Sequence, residues 1–491
     1  MRLKSGVWKA AVVLASAVML TACAARGAQG GASQGVEAET EASEGEPCRI
    51  VLWHYYNDVQ KESLDKLVEE YNQTEGKEKR VEVRAVSQGA VNELSSKMDL
   101  MINDSTNQID LPNMFMAYRD MASKIWRNNP DLLVDCKRYF DSGDLARYNE
   151  AYIKEGYFGE GLYIIPLAKS TELLMMNQTE LDRFLAANPG FEAKSMATWE
   201  GLAGMAEAYY DWTDAMTPNV PSDGKPFIGM DTLANYFIAM NHAMGSEIYH
   251  YGEDGQMVLD LKPADVKRLF ENYYIPFTKG YYGAFGKYRS DDIRQSMMAG
   301  YIGSSSSTLF FPKEVTDSQG NMSPIEMGIY QYPCLEGTKG TAIQQGAGVV
   351  TIHKGAREDE ACMDFIRWLT TERGFEMALS MSYMPVLNEP LAEEQKSTVT
   401  DPVVLKALEV GLKQSQDYQM VYGFDFENAY SVRQGLEEYF RSTLAQGRQE
   451  FVGYLERGLT AEEAAQKMQY DRKADEFYQQ LLSAGKTRPL F

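Results

Sequence analysis

Apolar residues fall into two recurring patterns along the chain, and their alternation outlines the fold. Ile50-Val51-Leu52-Trp53 is a short continuous apolar run of the buried-strand type. Leu64, Leu67, Val68 and Tyr71 follow at the i, i+3, i+4, i+7 spacing of one helix face, and Val81, Val83 and Ala85 then alternate. A strand, a helix and a second strand in this order predict a parallel pair with a crossover helix, and hence an α/β sheet covered by helices. Val91, Leu94, Met98 and Met101 mark the next helix. Leu436, Tyr439, Phe440 and Leu444 give one face of a later one.

One stretch, Gly161–Leu181, breaks this rhythm. Tyr163 to Leu167 is an apolar run interrupted by Pro166, which a strand tolerates only at an edge, an end or a bend. Lys169-Ser170-Thr171-Glu172 follows with four polar heads, and a second apolar run, Leu173 to Met176, is closed by Asn177. Polar groups set between two buried strands either line a cleft or form an ordinary surface loop, and the local pattern fits both. Open α/β sheets bind ligands beyond the carboxyl ends of their strands. That rule places His54, Tyr55, Tyr56 and Asn57 after the first strand, and Ser87 and Gln88 after the second, near such a cleft. The aromatic residues there either pack over the helix start or meet a ligand.

Length then sets the scale. A chain of 491 residues exceeds one ordinary core, so two large lobes are expected. Lysine and arginine total 48 against 70 acidic residues, and 48 − 70 gives a formal charge of −22. So negative a surface repels phosphate backbones, which argues against nucleic acid as a partner. It also repels anionic lipid, so any membrane attachment must be hydrophobic or covalent.

The N-terminus offers such an attachment. Arg2, Lys4 and Lys9 precede an apolar run from Ala10 to Leu20, the charged start and short core of an export signal over residues 1–22. Leu20-Thr21-Ala22-Cys23 resembles the bacterial lipobox, in which Cys23 receives a diacylglyceryl group; an ordinary cleaved signal is the other reading. Residues 23–48 are rich in Gly, Ala, Ser and Glu and bury too little to fold, so they are expected to be a flexible tether. Cys48, Cys136, Cys334 and Cys362 show no paired spacing, and disulfides and buried free thiols both fit. No zinc, calcium, phosphate-loop or nucleophile-elbow motif is present, and His54, His242, His250 and His353 share no ligand spacing, so neither metal nor cofactor is expected.

Several segments resemble, in order, those of the family 1 extracellular solute-binding proteins, the carbohydrate-binding subunits of ABC importers. Pro166, Ser170 and Asn177 match the family's first interdomain crossing, with Met176 in place of a tyrosine. Pro112 to Ala117 resembles its P-D-V segment with Asn113 for aspartate, so that Tyr118 and Arg119 emerge at the cleft edge. Met196 to Leu202 resembles its P-x-T-W-x-E-L helix start, with Thr198 as cap and Trp199 more suited to core than to ligand. A helix over Asp231 to Met244 would bring Asn235 and Tyr236 toward the cleft. Met297 to Ser305 resembles A-M-x-x-x-G-S-W, with Ser305 where many members carry tryptophan. Met327 to Pro333 would be the second crossing, and Gly346 to Ile352 resembles a glycine-rich strand whose glycines admit a ligand to the backbone, or else form a bulge or turn. Glu358 to Leu369 and Tyr383 to Val386 match a helix and the return to the second lobe. Leu459 to Ala465 resembles the terminal helix, with Thr460 as cap.

The resemblance covers Arg49 to about Met468. It implies an α/β, periplasmic-binding-protein-like fold of two lobes joined by a three-crossing hinge, with residues 49–165 and 333–378 in lobe 1 and 166–332 and 379–491 in lobe 2. It also implies a lipid-anchored protein on the outer face of a bacterial cell membrane, monomeric, without enzymatic activity, binding a carbohydrate and serving an ABC permease. The expected ligand contacts are Ser170, Ser305 and Gln345 first, then Tyr55, Gln88, Arg119, Lys169, Glu172 and Asn235. Two other readings stay open: a surface glycoside hydrolase or lyase, whose acid pair would be spatial and not legible in sequence, and a glycan-tethering or sensory protein on the same fold.

Overall fold

Strand propensity and burial account for two separate sheets. The computed structural model describes residues 46–103, 110–251, 257–346, 348–381, 383–424, 426 and 429–487. The expected export signal, Cys23 and most of the tether lie outside them. Residues from Pro47 onward form one unit. Its main strands are β1 (Cys48–His54), β2 (Val81–Ser87), β3 (Met114–Ala117), β4 (Ile165–Pro166), β5 (Ser170–Asn177), β6 (Ile228–Met230), β7 (Gly300–Ser304), β8 (Met327–Tyr330), β9 (Thr341–Gln345), β10 (Gly348–Thr351) and β11 (Gln419–Val421). The helices that matter to the site are α1 (Asp58–Gln73), α2 (Val91–Asn103), α3 (Arg119–Asn128), α4 (Glu150–Lys154), α5 (Trp199–Asp214), α6 (Leu233–Ala243), α7 (Ala356–Arg367), α8 (Pro402–Asp417), α9 (Ala429–Glu456) and α10 (Ala461–Met468).

The first lobe is built on the sheet β2-β1-β3-β10-β4. β1 pairs in parallel with β2 from Cys48↔Val81 to His54↔Ser87, and α1 covers the pair with Leu64, Leu67, Val68 and Tyr71, the stripe expected from the sequence. Pro166 lies in the edge strand, where its missing N–H removes no bond from the interior of the sheet. The second lobe is built on β11-β9-β5-β7-β6, with β8 also paired to β5. All eight residues of β5 are buried. Its core is strongly aromatic: Trp199 is fully buried and meets Tyr236, Tyr273 and Tyr332 edge-on at 4.7, 5.9 and 5.7 Å, so it is a packing residue.

Three passages join the lobes, and two differ from expectation. The first runs from β4 to β5. Lys169 to Glu172 is no loop there, because the strand begins at Ser170 and all four side chains are buried. Met327–Tyr330 does not cross: it pairs antiparallel with β5 and stays in the second sheet. β9, inside the stretch 333–378 expected of the first lobe, also pairs in the second sheet, with β5 and β11. The second passage is therefore the few residues between Gln345 and Gly348. The third includes α8, whose Val404 and Leu408 join the first lobe's core with Met384 and Val386, while Ala407 packs on Leu173 and Ile329 of the second.

Chain packing accounts for the glycines of the second passage. Gly346 has φ +99°, and a Cβ there would sit 2.3 Å from the Ala168 carbonyl oxygen; a Cβ on Gly348 would sit 2.2 Å from Ile164 Cγ2. Only glycine lets the second passage lie against the first. Cys48, Cys136, Cys334 and Cys362 are free thiols, and all but Cys334 are buried.

Near the C-terminus the capping box forms as the sequence suggests. Thr460 Oγ1 accepts from Glu463 N at 3.2 Å, and Glu463 Oε2 accepts from Thr460 N at 2.9 Å. Thr460→Ala is expected to cost about 1 kcal/mol, measured by urea unfolding; an unchanged midpoint would show that the cap carries no stability.

Candidate functional site

The sheet rule places chemistry at strand ends and helix starts, and there the two lobes enclose a cavity of about 310 Å³. The first lobe supplies Ala90 to Asn92 at the start of α2, Tyr118 to Asp120 after β3, and Glu155 after α4. The second supplies Asn235 from the first turn of α6, Gln344 and Gln345 from the end of β9, Phe424, and Arg433 from the first turns of α9. A wider cavity of about 770 Å³ adjoins it, sharing Ile238, Gly423 and Phe424 and lined also by Asn149, Glu150, Ala151, Lys154, Tyr249 and Tyr422.

Of the nine expected ligand residues, the fold brings Arg119, Asn235 and Gln345 to the smaller cavity. Arg119 is held by backbone: its Nη1 donates to the carbonyls of Glu155 and Tyr157, the latter at 2.9 Å, and its guanidinium lies 4.4 Å from the Phe158 ring centroid and 5.1 Å from that of Tyr422. Tyr55 does not line the cavity but stacks on Tyr118, which does, at 6.1 Å and 11°. Gln88 is turned away, its Oε1 accepting from Lys97 Nζ at 2.7 Å. Ser170 and Ser305 are buried inside the second lobe: Ser170 is paired with Gln345 in the sheet, and Ser305 Oγ accepts from Thr171 N at 3.4 Å. His54 and Tyr56 are also buried. His54 Nδ1 accepts from Tyr56 N at 3.2 Å, and burial lowers the ring to about 4, which keeps it neutral.

Lys169 sits where the passages between the lobes meet. Its Nζ donates to Glu155 Oε2 at 2.6 Å and to the Gly346 carbonyl at 2.8 Å, and its backbone pairs with Met384. Gln344 Nε2 adds a second donor to Glu155 Oε2 at 2.9 Å. The ammonium thus ties the first passage to the second and to a carboxylate that lines the cavity, and the backbone of the same residue joins them to the stretch leading to the third. Both ionic side chains are buried, where an unpaired charge is costly and a hydrogen-bonded pair is tolerated.

Glu172 and Asn235 form the other buried polar group. Glu172 Oε1 accepts from Asn235 Nδ2 at 2.7 Å, and Asn235 Oδ1 accepts from Arg433 Nη2 at 2.6 Å. Glu172 Oε2 is buried with no hydrogen-bond partner among the described residues. Burial raises this carboxyl to about 8, against the lowering influence of Asn235 and Arg433, so it is largely protonated at neutral pH. Burial also raises Asp120. Glu155 and Arg433 were not singled out by sequence reasoning. Arg433 did carry a signal: it stands at i−3 and i−7 from Leu436 and Phe440, a charge on an otherwise buried stripe. Glu155 carried none. Among the described residues no group of three or more His, Cys, Asp or Glu side chains is placed to hold a metal ion, and no helix is long and apolar enough to cross a membrane.

Comparison with known proteins agrees with this geometry. The cyclic α-maltosyl-1,6-maltose binding protein of Arthrobacter globiformis superposes with a TM-score of 0.64 at 16% identity, over 90% of this chain and 100% of that one. A family 1 extracellular solute-binding protein of Alicyclobacillus acidocaldarius gives 0.63 at 11% identity, over 90% and 99%. A Mycobacterium tuberculosis protein solved in complex with glycerophosphocholine gives 0.59 at 15% identity, over 84% and 99%. At such identities the likeness is one of fold. No protein of curated function matches in sequence. The model of the bacterial extracellular solute-binding protein family matches residues 66–402, more than half of the 491; the chain belongs to that family.

Proposed function

We propose that this chain is the solute-binding component of an ABC importer, which captures a carbohydrate, an oligosaccharide or related polyol, by lobe closure and delivers it to a membrane permease without altering it. The observation that carries this reading is the cavity beside the hinge, walled by polar and aromatic side chains from both lobes. Family membership and structural neighbours that bind maltose-type sugars support it. Tyr118 and Phe424 offer faces for sugar rings, and Gln345, Arg119 and Arg433 offer donors to hydroxyls. A ligand closes the lobes only by binding the closed arrangement better than the open one.

A thermal-shift screen against an oligosaccharide panel tests the reading, since a ligand at about a hundred times its dissociation constant adds roughly 2.7 kcal/mol to the folded state. No shift with any sugar would remove the carbohydrate assignment. Release of a shortened glycan by the purified protein would instead favour a hydrolase, and failure to capture any permease on a pull-down would favour a tethering or sensory role.

The same reading places the protein, as a monomer, on the outer face of the cell membrane through a lipid on Cys23, because one acyl chain holds a protein only marginally and two or more hold it stably. Cys23→Ala is expected to release it into the medium; retention at the membrane would contradict the anchor.

A further inference from the structure

The amide groups beside the cavity have one orientation that satisfies their partners. Arginine only donates, so the Asn235 atom facing Arg433 Nη2 at 2.6 Å is the amide oxygen. Asn235 Nδ2 therefore donates to Glu172 Oε1 at 2.7 Å and meets Gln345 at 3.4 Å, where Gln345 must present its Oε1. Asn235 is fully buried and spends its bonds inside the protein, so it is a positioning residue. Gln345 is half-buried and lines the cavity, and its Nε2 has no hydrogen-bond partner among the described residues. A donor is thereby fixed on the second lobe's wall.

The first lobe's wall has the opposite sense. Asp120 stands in the first turn of α3, half-buried, and its Oδ1 accepts from Met121 N at 2.9 Å. Among the described residues no ion pair and no bond from another residue occupies Oδ2, which leaves an acceptor at the cavity. Closing the lobes over these two atoms without partners would be costly, since a polar group shut away from water forfeits its hydrogen bonds. A hydroxyl both donates and accepts, so a polyhydroxylated ligand can satisfy both walls at once.

Building on the carbohydrate reading, we propose that Asp120 and Gln345, from opposite lobes, set specificity by the direction of the ligand's hydrogen bonds: Asp120 Oδ2 accepts from one sugar hydroxyl and Gln345 Nε2 donates to another. Titration calorimetry with maltotriose, cellotriose, mannotriose and galactotriose selects a sugar that binds. Its singly deoxygenated and singly fluorinated analogues then read each hydroxyl, because fluorine accepts weakly and cannot donate. One fluorination is expected to weaken binding about tenfold or more, at the hydroxyl that donates to Asp120. At a second hydroxyl, the one that accepts from Gln345, hydrogen is expected to cost more than fluorine. Two substitutions of unchanged shape invert these senses. In Asp120→Asn the amide oxygen keeps the bond from Met121 N and an NH₂ faces the cavity, which is expected to abolish the first penalty. In Gln345→Glu the contact with Asn235 Nδ2 stays and the donor is lost, so fluorine is expected to cost as much as hydrogen at the second position. A series in which either position is missing overturns the proposal, as does either penalty surviving unchanged in its variant. Where a variant fails to fold, the analogue series on the unaltered protein decides. Binding of none of the four sugars overturns instead the carbohydrate reading beneath it.

Discussion

Lys169→Met is expected to lower the free energy of unfolding by about 3–5 kcal/mol, because it leaves a buried carboxylate without its counter-charge. Glu155 would keep only Gln344 Nε2, at 2.9 Å, as a donor to Oε2, and the Gly346 carbonyl would lose its 2.8 Å bond. The same change removes the side-chain tie between the first and second passages, while the backbone pairing of residue 169 with Met384 is untouched. The double variant Lys169→Met, Glu155→Gln removes the stranded charge and is expected to recover most of the loss, as replacing a whole buried ion pair is often nearly neutral. Urea unfolding of the three proteins measures this. A single variant as stable as the parent, or a double variant no better than the single one, would show that the pair does not hold the hinge.

Glu172→Gln is expected to change how stability depends on pH. The folded carboxyl is raised from an ordinary 4.5 to about 8, so between these values the native protein keeps a proton that the unfolded chain releases. The favourable contribution is fully present below about 4.5 and is lost as pH rises toward 8. At 1.36 kcal/mol per unit the loss is on the order of 4 kcal/mol across the window. Glutamine is neutral throughout and keeps an oxygen for Asn235 Nδ2. The variant should therefore match the parent near pH 5 and exceed it at pH 8, in denaturant unfolding at the two values. Curves that stay parallel would mean that Glu172 ionises normally in the folded protein.

The elements were legible where periodicity alone decides them. The stripe Leu64, Leu67, Val68, Tyr71 and the alternation at Val81 and Val83 became α1 and β2 because one face of each is buried on the same sheet. The cavity was legible where a strand end or helix start dictates position, as for Arg119, Asn235 and Gln345. Ser170, Ser305 and Lys169 read as polar residues seeking a cleft, yet their partners are distant in sequence. Ser305 meets Thr171, 134 residues away, and Lys169 meets Gly346, 177 away. No local pattern reveals such a partner, so a satisfied buried polar group and a ligand-facing one look alike. The crossing expected over Met327 to Pro333 fails for a related reason: an apolar run states that a strand is buried, but not in which sheet.

Closure of two lobes on a captured carbohydrate is tested most directly by small-angle X-ray scattering of the purified protein, alone and with saturating amounts of the oligosaccharide that gives the largest thermal shift. A smaller radius of gyration with the sugar, fully reversed on dialysis, is the predicted result. A scattering profile unchanged by a sugar that calorimetry shows to be bound would contradict closure.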